Sequence, residues 1–412
     1  MKQIVIVGAG FGGLQAVLKL EKKFRHDKNI ELTLIDKRTY HVFAANLYEA
    51  ATTEEEVVSA EQVKGSISLP IYTILKNKRI KFVQGEVNLI DPAKKQVSLT
   101  NKKVSYDYLV LALGSQSDYF NIEGSQENSL PLKSLSDAMR IRSEVATAIQ
   151  LHRTDVNKKN IRLVVAGGGY TGLEFAAKLK GLVDFLAWEN QYPREKIEIE
   201  VIEAANKVIA GFDDKLSQDA LERMQELGVH VRLSSRITKV DRNFIELLTG
   251  DKISYDLLFW TTGVKAASIK MEGTAPELDQ KGRLAVNGYF QIKNQDNIFA
   301  LGDLACVMGD GVRPAPSTAQ DAIDQARYLA GALPYIMKNQ KPPKPYRTNK
   351  HGFIVALGEK WSILDYGGFY FKGFFAAFIH KLSHLRYYWS IVPLWTAIKW
   401  VLFETEMYSR ND

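Results

Sequence analysis

A chain of 412 residues with 46% hydrophobic content is long enough for two or three domains with ample cores, which excludes a disordered protein. Its single cysteine, Cys306, excludes an intramolecular disulfide and any Cys-x-x-Cys redox pair, and its 7 histidines are scattered, so no metal site is expected. The formal charge of +7 permits an anionic partner, but the basic residues are dispersed and no nucleic-acid module is present, so nucleic acid is not expected as a partner.

The N-terminus enters a strand-like run, Gln3–Val7, almost at once, which leaves no room for a signal peptide and predicts a cytoplasmic location. Gly8-Ala9-Gly10-Phe11-Gly12-Gly13 follows, and then a helical stretch over Leu14–Leu20. Strand, glycine loop and helix in that order form a dinucleotide cradle: the helix N-terminus and loop N–H groups hold pyrophosphate, provided that no side chain at Gly8, Gly10 or Gly13 blocks the approach. Asp36 stands at the end of the next strand, Glu31–Ile35, where a carboxylate receives ribose hydroxyls.

Strands are predicted at Ile80–Val83 and Val97–Leu99, and Tyr106-Asp107 leads into the apolar run Tyr108–Leu113, closed by Gly114. Such a run suits a parallel strand covered on both faces. A connector through Gly124 leads by Pro131-Leu132-Lys133 to a helix. The pattern then repeats. Strand Ile161–Ala166 precedes Gly167-Gly168-Gly169-Tyr170-Thr171-Gly172, and strand Ile197–Ile202 delivers Glu203 to the ribose position. An acid there repels a 2′-phosphate and favours NADH over NADPH, with Lys207 nearby as the opposing charge. Tyr255-Asp256, the apolar run to Thr262, and Gly263 echo the close of the first unit, which points to an internal duplication.

A third piece, Asn297–Asp303, is a short strand ending in Gly-Asp, followed by a helix starting near Ser317 or Thr318. There Asp303 can take a ribityl hydroxyl, and the helix N-terminus can face the flavin carbonyls that gather negative charge on reduction. From Tyr366 onward aromatic and basic residues alternate in blocks, and no uncharged run reaches the roughly 20 residues that span a bilayer. Phe374, Phe378, Leu382 and Leu385 share a helical face, with Lys381, Arg386 and Lys399 as cationic heads and Trp389, Trp395 and Trp400 suited to an interface. This predicts a monotopic membrane foot. A helix packed on the core or across a dimer is the structural alternative. His380 and His384, at i and i+4, lack the third ligand that zinc would need.

With these pieces located, the chain resembles the two-dinucleotide-domain flavoprotein reductases, and among them the type II NADH dehydrogenases. The likeness runs over nearly the whole chain, through Tyr40-His41, Leu47–Thr52, Ala112–Ser115, Pro131–Leu135, Gly172-Leu173-Glu174, Glu203-Ala204, Gly211-Phe212, Gly302-Asp303 and Thr318–Gln325. It implies an α/β fold with two Rossmann-like domains and an amphipathic membrane-anchoring C-terminus. Residues 1–124 and 276–345 would form the FAD-binding domain, 125–275 the NADH-binding domain and 346–412 the membrane-associating one.

By the same resemblance, FAD would lie on Gly8, Ala9, Gly10, Phe11 and Gly12, with Asp36 and Lys37 at the ribose, Val87 at the adenine, and Gly114, Asp303, Ala319 and Gln320 completing the site. NADH would use Gly167, Gly169, Tyr170, Gly172, Glu203 and Gly263. Quinone would pass Gln320 and Gln325, and His380 or Lys381 would approach the flavin. Glu174 would act near the nicotinamide–flavin contact, in cofactor positioning or proton supply; completing the helix dipole is its structural alternative. Asp324 stands where relatives commonly carry a second glutamine.

The implied activity is hydride transfer from NADH to non-covalent FAD and then two electrons to a membrane quinone, without ion pumping, on the cytoplasmic face of the membrane and as a homodimer. Two rivals share these features: a soluble NADH-dependent reductase of a small redox protein, and a flavin- and NADH-binding protein whose redox state regulates its partners. The first leaves the aromatic C-terminus unexplained, and the second needs no quinone turnover.

Overall fold

Two five-stranded parallel sheets carry the architecture; four strands of each follow one order, while the edge strand beside them comes last in the chain in the first sheet and first in the second. In the first, the strands lie side by side as Ile298–Ala300, Tyr108–Leu111, Lys2–Val7, Ile30–Asp36 and Ile80–Gln84. In the second the order is Leu130–Pro131, Leu257–Trp260, Ile161–Ala166, Ile197–Ile202 and His230–Arg232. The apolar runs of the inner strands, Ile4–Val7 and Leu163–Ala166, are at most 1% exposed, as parallel strands covered on both faces require.

The computed structural model describes residues 1–54, 59–154, 160–273, 275–308, 314–349, 351–358 and 360–408. The chain forms two units: Met1–His41, Leu69–Gln116 and Val264–His351 make one, and Val42–Ser68, Ser117–Gly263 and Gly352–Asp412 the other.

The echo seen in the sequence is a structural repeat down to single hydrogen bonds. In the first unit Asp107 N–H donates to Gln3 O at 2.8 Å, and the Asp107 carboxylate receives Gln3 N–H at 2.7 Å. In the second, Asp256 N–H donates to Arg162 O and the Asp256 carboxylate receives Arg162 N–H, both at 2.9 Å. Each Tyr-Asp pair thus locks the entry of one inner strand onto its neighbour. Each unit also carries a three-stranded antiparallel meander, formed by Val87–Asp91, Gln96–Leu99 and Lys102–Ser105 in one case and Ile237–Val240, Phe244–Leu247 and Lys252–Ser254 in the other.

Residues Val42–Ser68, inside the sequence segment 1–124, cluster with the second unit. Buried polar bonds hold them there. Arg142 Nη2 donates to Glu54 O at 2.5 Å, and Lys178 Nζ lies 3.4 Å from the Glu49 carboxylate with both side chains nearly closed to solvent. The C-terminal part of this unit opens with an antiparallel sheet of Phe353–Ala356, Ser362–Tyr366 and Phe369–Gly373, an element that composition alone did not disclose. Helices Phe374–Ile391 and Leu394–Tyr408 follow, and the Tyr408 hydroxyl meets Ser66 Oγ at 2.5 Å. Among the described residues no helix is long and apolar enough to cross a membrane.

Candidate active site

At Gly8 and Gly13 the first glycine loop leaves no room for a side chain, whereas Gly10 faces open space. A Cβ on Gly13 would stand 1.9 Å from Gly8 O, and one on Gly8, whose φ is +103°, would stand 2.3 Å from Ala112 O. Helix Phe11–Phe24 begins at once, with Gly10 as its N-cap and no side-chain cap, so its first N–H groups are left for an anion. Asp36 is at the predicted strand end; its carboxylate receives Ala9 N–H at 2.7 Å and Arg38 N–H at 2.8 Å. Lys37 points to solvent and pairs with Glu86 at 3.0 Å, while Val87 opens the meander half-buried.

Other predicted residues of this unit are spread over three further segments. Gly114 has φ +70° and its carbonyl accepts Ala267 N–H at 3.0 Å. Asp303, in the short 3-10 turn Gly302–Leu304, receives Ser115 Oγ–H at 2.5 Å. Ala319 and Gln320 open helix Ala319–Ile336, with the Thr318 hydroxyl as its cap and Gln320 exposed. Gln325 is 1% exposed, and its Oε1 accepts Gly302 N–H at 2.8 Å, so it props the Gly-Asp turn. Asp324 receives Asn349 Nδ2 at 2.6 Å and Arg327 at 3.1 Å, with His351 Nε2 at 3.2 Å.

His41 is a residue whose part the sequence reading did not assign. It is fully buried, edge-on to Phe11, with Nδ1 2.8 Å from Ala9 O. Burial pushes its pKa down to about 4, so the ring is neutral at pH 7. A carbonyl only accepts, so the proton sits on Nδ1.

The second loop copies the first. Gly167 has φ +108°, Gly169 is the uncapped N-cap of helix Tyr170–Glu189, and a Cβ on Gly172 would lie 1.9 Å from Gly167 O. Glu203 takes Gly168 N–H at 2.6 Å and Ala205 N–H at 2.7 Å, as Asp36 does in its loop. Lys207 is engaged elsewhere, by Asp214 at 2.7 Å and Phe212 O at 2.9 Å. Tyr170 meets Phe212 edge-on, and Gly263, with φ +61°, closes the inner strand beside the loop.

One turn into the same helix, Glu174 receives Ala356 N–H at 3.2 Å. Burial pushes its carboxyl up to about 8; the Ala356 bond opposes the shift and nearby Glu49 adds to it. Ala356 also lines a cavity of about 190 Å³ whose wall includes Glu49, Lys178, Phe378, His380 and Lys381. Burial first, then His384 and Lys381, hold the His380 pKa well below its ordinary value. Lys381 lies 3.3 Å from Glu404, and Glu404, fully buried, also takes His384 Nδ1 at 2.7 Å and Tyr388 OH at 2.9 Å.

The outer face of the C-terminal helices is apolar and open to solvent: Phe374 is 70% exposed, Phe378 53%, Leu382 47%, Trp389 61% and Trp395 77%. Leu385 and Trp400 are only half-exposed, Trp400 resting edge-on against Tyr388.

The profile of the pyridine nucleotide-disulphide oxidoreductases matches residues 2–326, which takes in both glycine loops and the Gly-Asp turn. The chain belongs to this family. A type II NADH:quinone oxidoreductase of Staphylococcus aureus is 28% identical over 404 residues, covering 97% of this chain and 98% of the relative, and that of Staphylococcus haemolyticus is 26% identical over 407 residues with the same coverage. The fold matches that of NDH2 from Plasmodium falciparum, solved in complex with NADH, with a TM-score of 0.84 over 99% of both chains at 21% identity. With Cys306 as its one cysteine, the chain has no cysteine pair for the disulphide step in the family's name.

Proposed function

We propose that this chain is a peripheral-membrane NADH:quinone oxidoreductase that holds FAD in its first unit and receives NADH in its second, without pumping ions. The observation that carries the choice of acceptor is the exposed face of Phe374, Phe378, Leu382, Trp389 and Trp395. A soluble protein leaves so contiguous an aromatic surface to water only at a cost, whereas the headgroup layer of a bilayer takes it up. The names of the staphylococcal relatives and their span over 97% of the chain support the same reading. We place the protein on the cytoplasmic face, with quinone, the bilayer surface and a second copy as partners.

A bound flavin supplies the two-electron step between hydride donor and quinone. The protein's part is placement and proton supply. Gly8–Gly13 and the N-terminus of Phe11–Phe24 seat the FAD pyrophosphate, His41 and Asp36 hold Ala9 in the loop, and Gln325 and Ser115 fix Gly302 and Asp303. Gly167–Gly172 seats NADH, with Glu203 on its ribose and Lys207 drawn to Asp214 rather than to a 2′-phosphate. Gln320, exposed at the start of its helix, is the glutamine offered to quinone, and Gln325 serves from the buried side of the same helix. Lys381 is oriented by Glu404.

Purified FAD-loaded protein should oxidise NADH in the presence of ubiquinone or menaquinone analogues, with NADPH a far poorer donor. Absence of quinone-dependent turnover in that preparation overturns the reading.

Glu174 is the proton donor in this scheme, because burial keeps it protonated up to about pH 8. Glu174→Gln mimics the protonated form. Wild-type turnover should therefore fall as pH rises through about 8, while the variant runs slower and with a flatter profile. Stability follows the same proton. The folded state keeps it up to about pH 8, whereas the unfolded chain releases it near 4.5, so this contribution is complete below 4.5 and lost as pH climbs to 8. Melting curves should show the variant losing less stability than wild type across that window. Identical pH profiles in rate and melting would return Glu174 to a dipole-completing role.

A further inference from the structure

At the C-terminal edge of the second sheet, Leu257–Trp260, Ile161–Ala166 and Ile197–Ile202 are neighbours in that order. The glycine loop follows the middle strand, Glu203 follows the third, and Gly263 lies just beyond the first. A dinucleotide with its pyrophosphate on the loop and its adenosine ribose at Glu203 must extend its other half the opposite way, across Gly263. The ring of Phe120 lies against that glycine: a Cβ on Gly263 would be 2.3 Å from Phe120 Cζ and 2.8 Å from Cε2.

Phe120 is held there at a conformational cost. Its φ is +51° and that of Asn121 is +55°, in the left-handed region that non-glycine residues avoid. Asp118 enforces the turn, its carboxylate taking Phe120 N–H at 2.9 Å. Asp118 is itself tied to the sheet edge: its N–H donates to Gly263 O at 3.3 Å, and its carbonyl accepts Trp260 Nε1 at 2.9 Å. The outcome is an aromatic ring 55% open to water at the end of the nucleotide crevice. A backbone held in the left-handed region to keep a ring at this strand end points to a ligand rather than to core packing.

We propose that Phe120 is the seat of the nicotinamide riboside half of NADH. The inference rests on NADH occupying the second glycine loop. A flat, neutral ring suits this end of the ligand: it offers an apolar face to the dihydronicotinamide and a π face to the cationic nicotinamide of the product. With no side chain at Gly263, the ring and the ligand can approach the strand end together.

The test uses full-length, FAD-loaded protein and follows flavin bleaching by NADH, which needs no quinone and so stands apart from the acceptor assignment. Phe120→Ala should raise the NADH concentration for half-maximal bleaching roughly five- to tenfold, the scale of one aromatic contact. ADP, which lacks the nicotinamide riboside, should compete with NADH as well in the variant as in wild type. Phe120→Tyr should restore NADH affinity, and Leu248→Ala, which removes another exposed apolar side chain of this unit, should change neither ligand. Unchanged NADH affinity in Phe120→Ala overturns the proposal. Equal weakening of NADH and ADP overturns it too, since that would mark Phe120 as a prop of the whole cradle.

Discussion

Gly172→Ala should yield a yellow, FAD-loaded protein whose flavin NADH reduces only at much higher concentrations. The new Cβ would sit 1.9 Å from Gly167 O and 2.7 Å from Thr261 Oγ1. Neither neighbour can step aside cheaply: Gly167 N–H is bonded to Ile202 O at 2.8 Å, and the Thr261 hydroxyl to Ala166 O at 2.8 Å. The helix N-terminus must move off the loop instead, and with it the N–H groups that would face the pyrophosphate. Overpacking of this kind costs about 1–3 kcal/mol, or roughly five- to 150-fold in NADH affinity. Gly13→Ala is the mirror experiment, because its Cβ would also meet a carbonyl at 1.9 Å, that of Gly8. Its loss should fall on FAD retention. Flavin content and stopped-flow bleaching, read on both variants, separate the two cradles, and an FAD-loaded Gly172→Ala protein with wild-type NADH affinity would refute the assignment of the second loop.

That the two cradles can be paired residue by residue explains why they were legible in the sequence. Where a Cβ meets a backbone carbonyl, as at Gly8, Gly13 and Gly172, only glycine fits, and at Gly167 a φ of +108° favours it, so the spacing of these four carries the geometry openly. The Tyr-Asp pairs were legible for a similar reason, because Asp107 and Asp256 each bind backbone of the neighbouring strand. Residues whose partners are remote were not. Gln325 has a place in the helix pattern, but nothing in its spacing announces that it props Gly302. His41 lies in a segment that carries the resemblance, but its role stays hidden until Ala9 O appears at 2.8 Å. Phe120 lies in an unremarkable connector, and only Gly263, far along the chain, gives its ring a purpose. The C-terminal segment was half legible: its exposed aromatic face follows helical spacing, while the acid that fastens its two helices together does not.

That acid, Glu404, carries the other large prediction. It is fully buried, and three donors of helix Phe374–Ile391 converge on it from Lys381, His384 and Tyr388. Burial alone would raise its pKa; His384 first and Lys381 next overcome that and hold the carboxyl well below the ordinary range. Glu404→Ala leaves buried donors with no acceptor, at a cost of about 3–5 kcal/mol, the usual result of breaking a buried ion pair from one side. Helices Phe374–Ile391 and Leu394–Tyr408 should then exchange amide hydrogens faster than the two sheets, and binding to anionic vesicles should weaken because the exposed face no longer holds its shape. The pH dependence fixes the sign. A folded-state pKa below that of the unfolded chain gives stability that is present above 4.5 and lost as pH falls through the folded value, so wild type should lose this contribution on acidification while Glu404→Gln, which cannot ionise, shows none of it. A triple variant with apolar residues at 381, 384 and 404 should regain much of the stability lost in Glu404→Ala, because burying matched apolar surface is no worse than burying matched charge. If Glu404→Ala exchanges and melts like wild type, the carboxylate does not hold the helix pair, and the orientation of Lys381 must come from elsewhere.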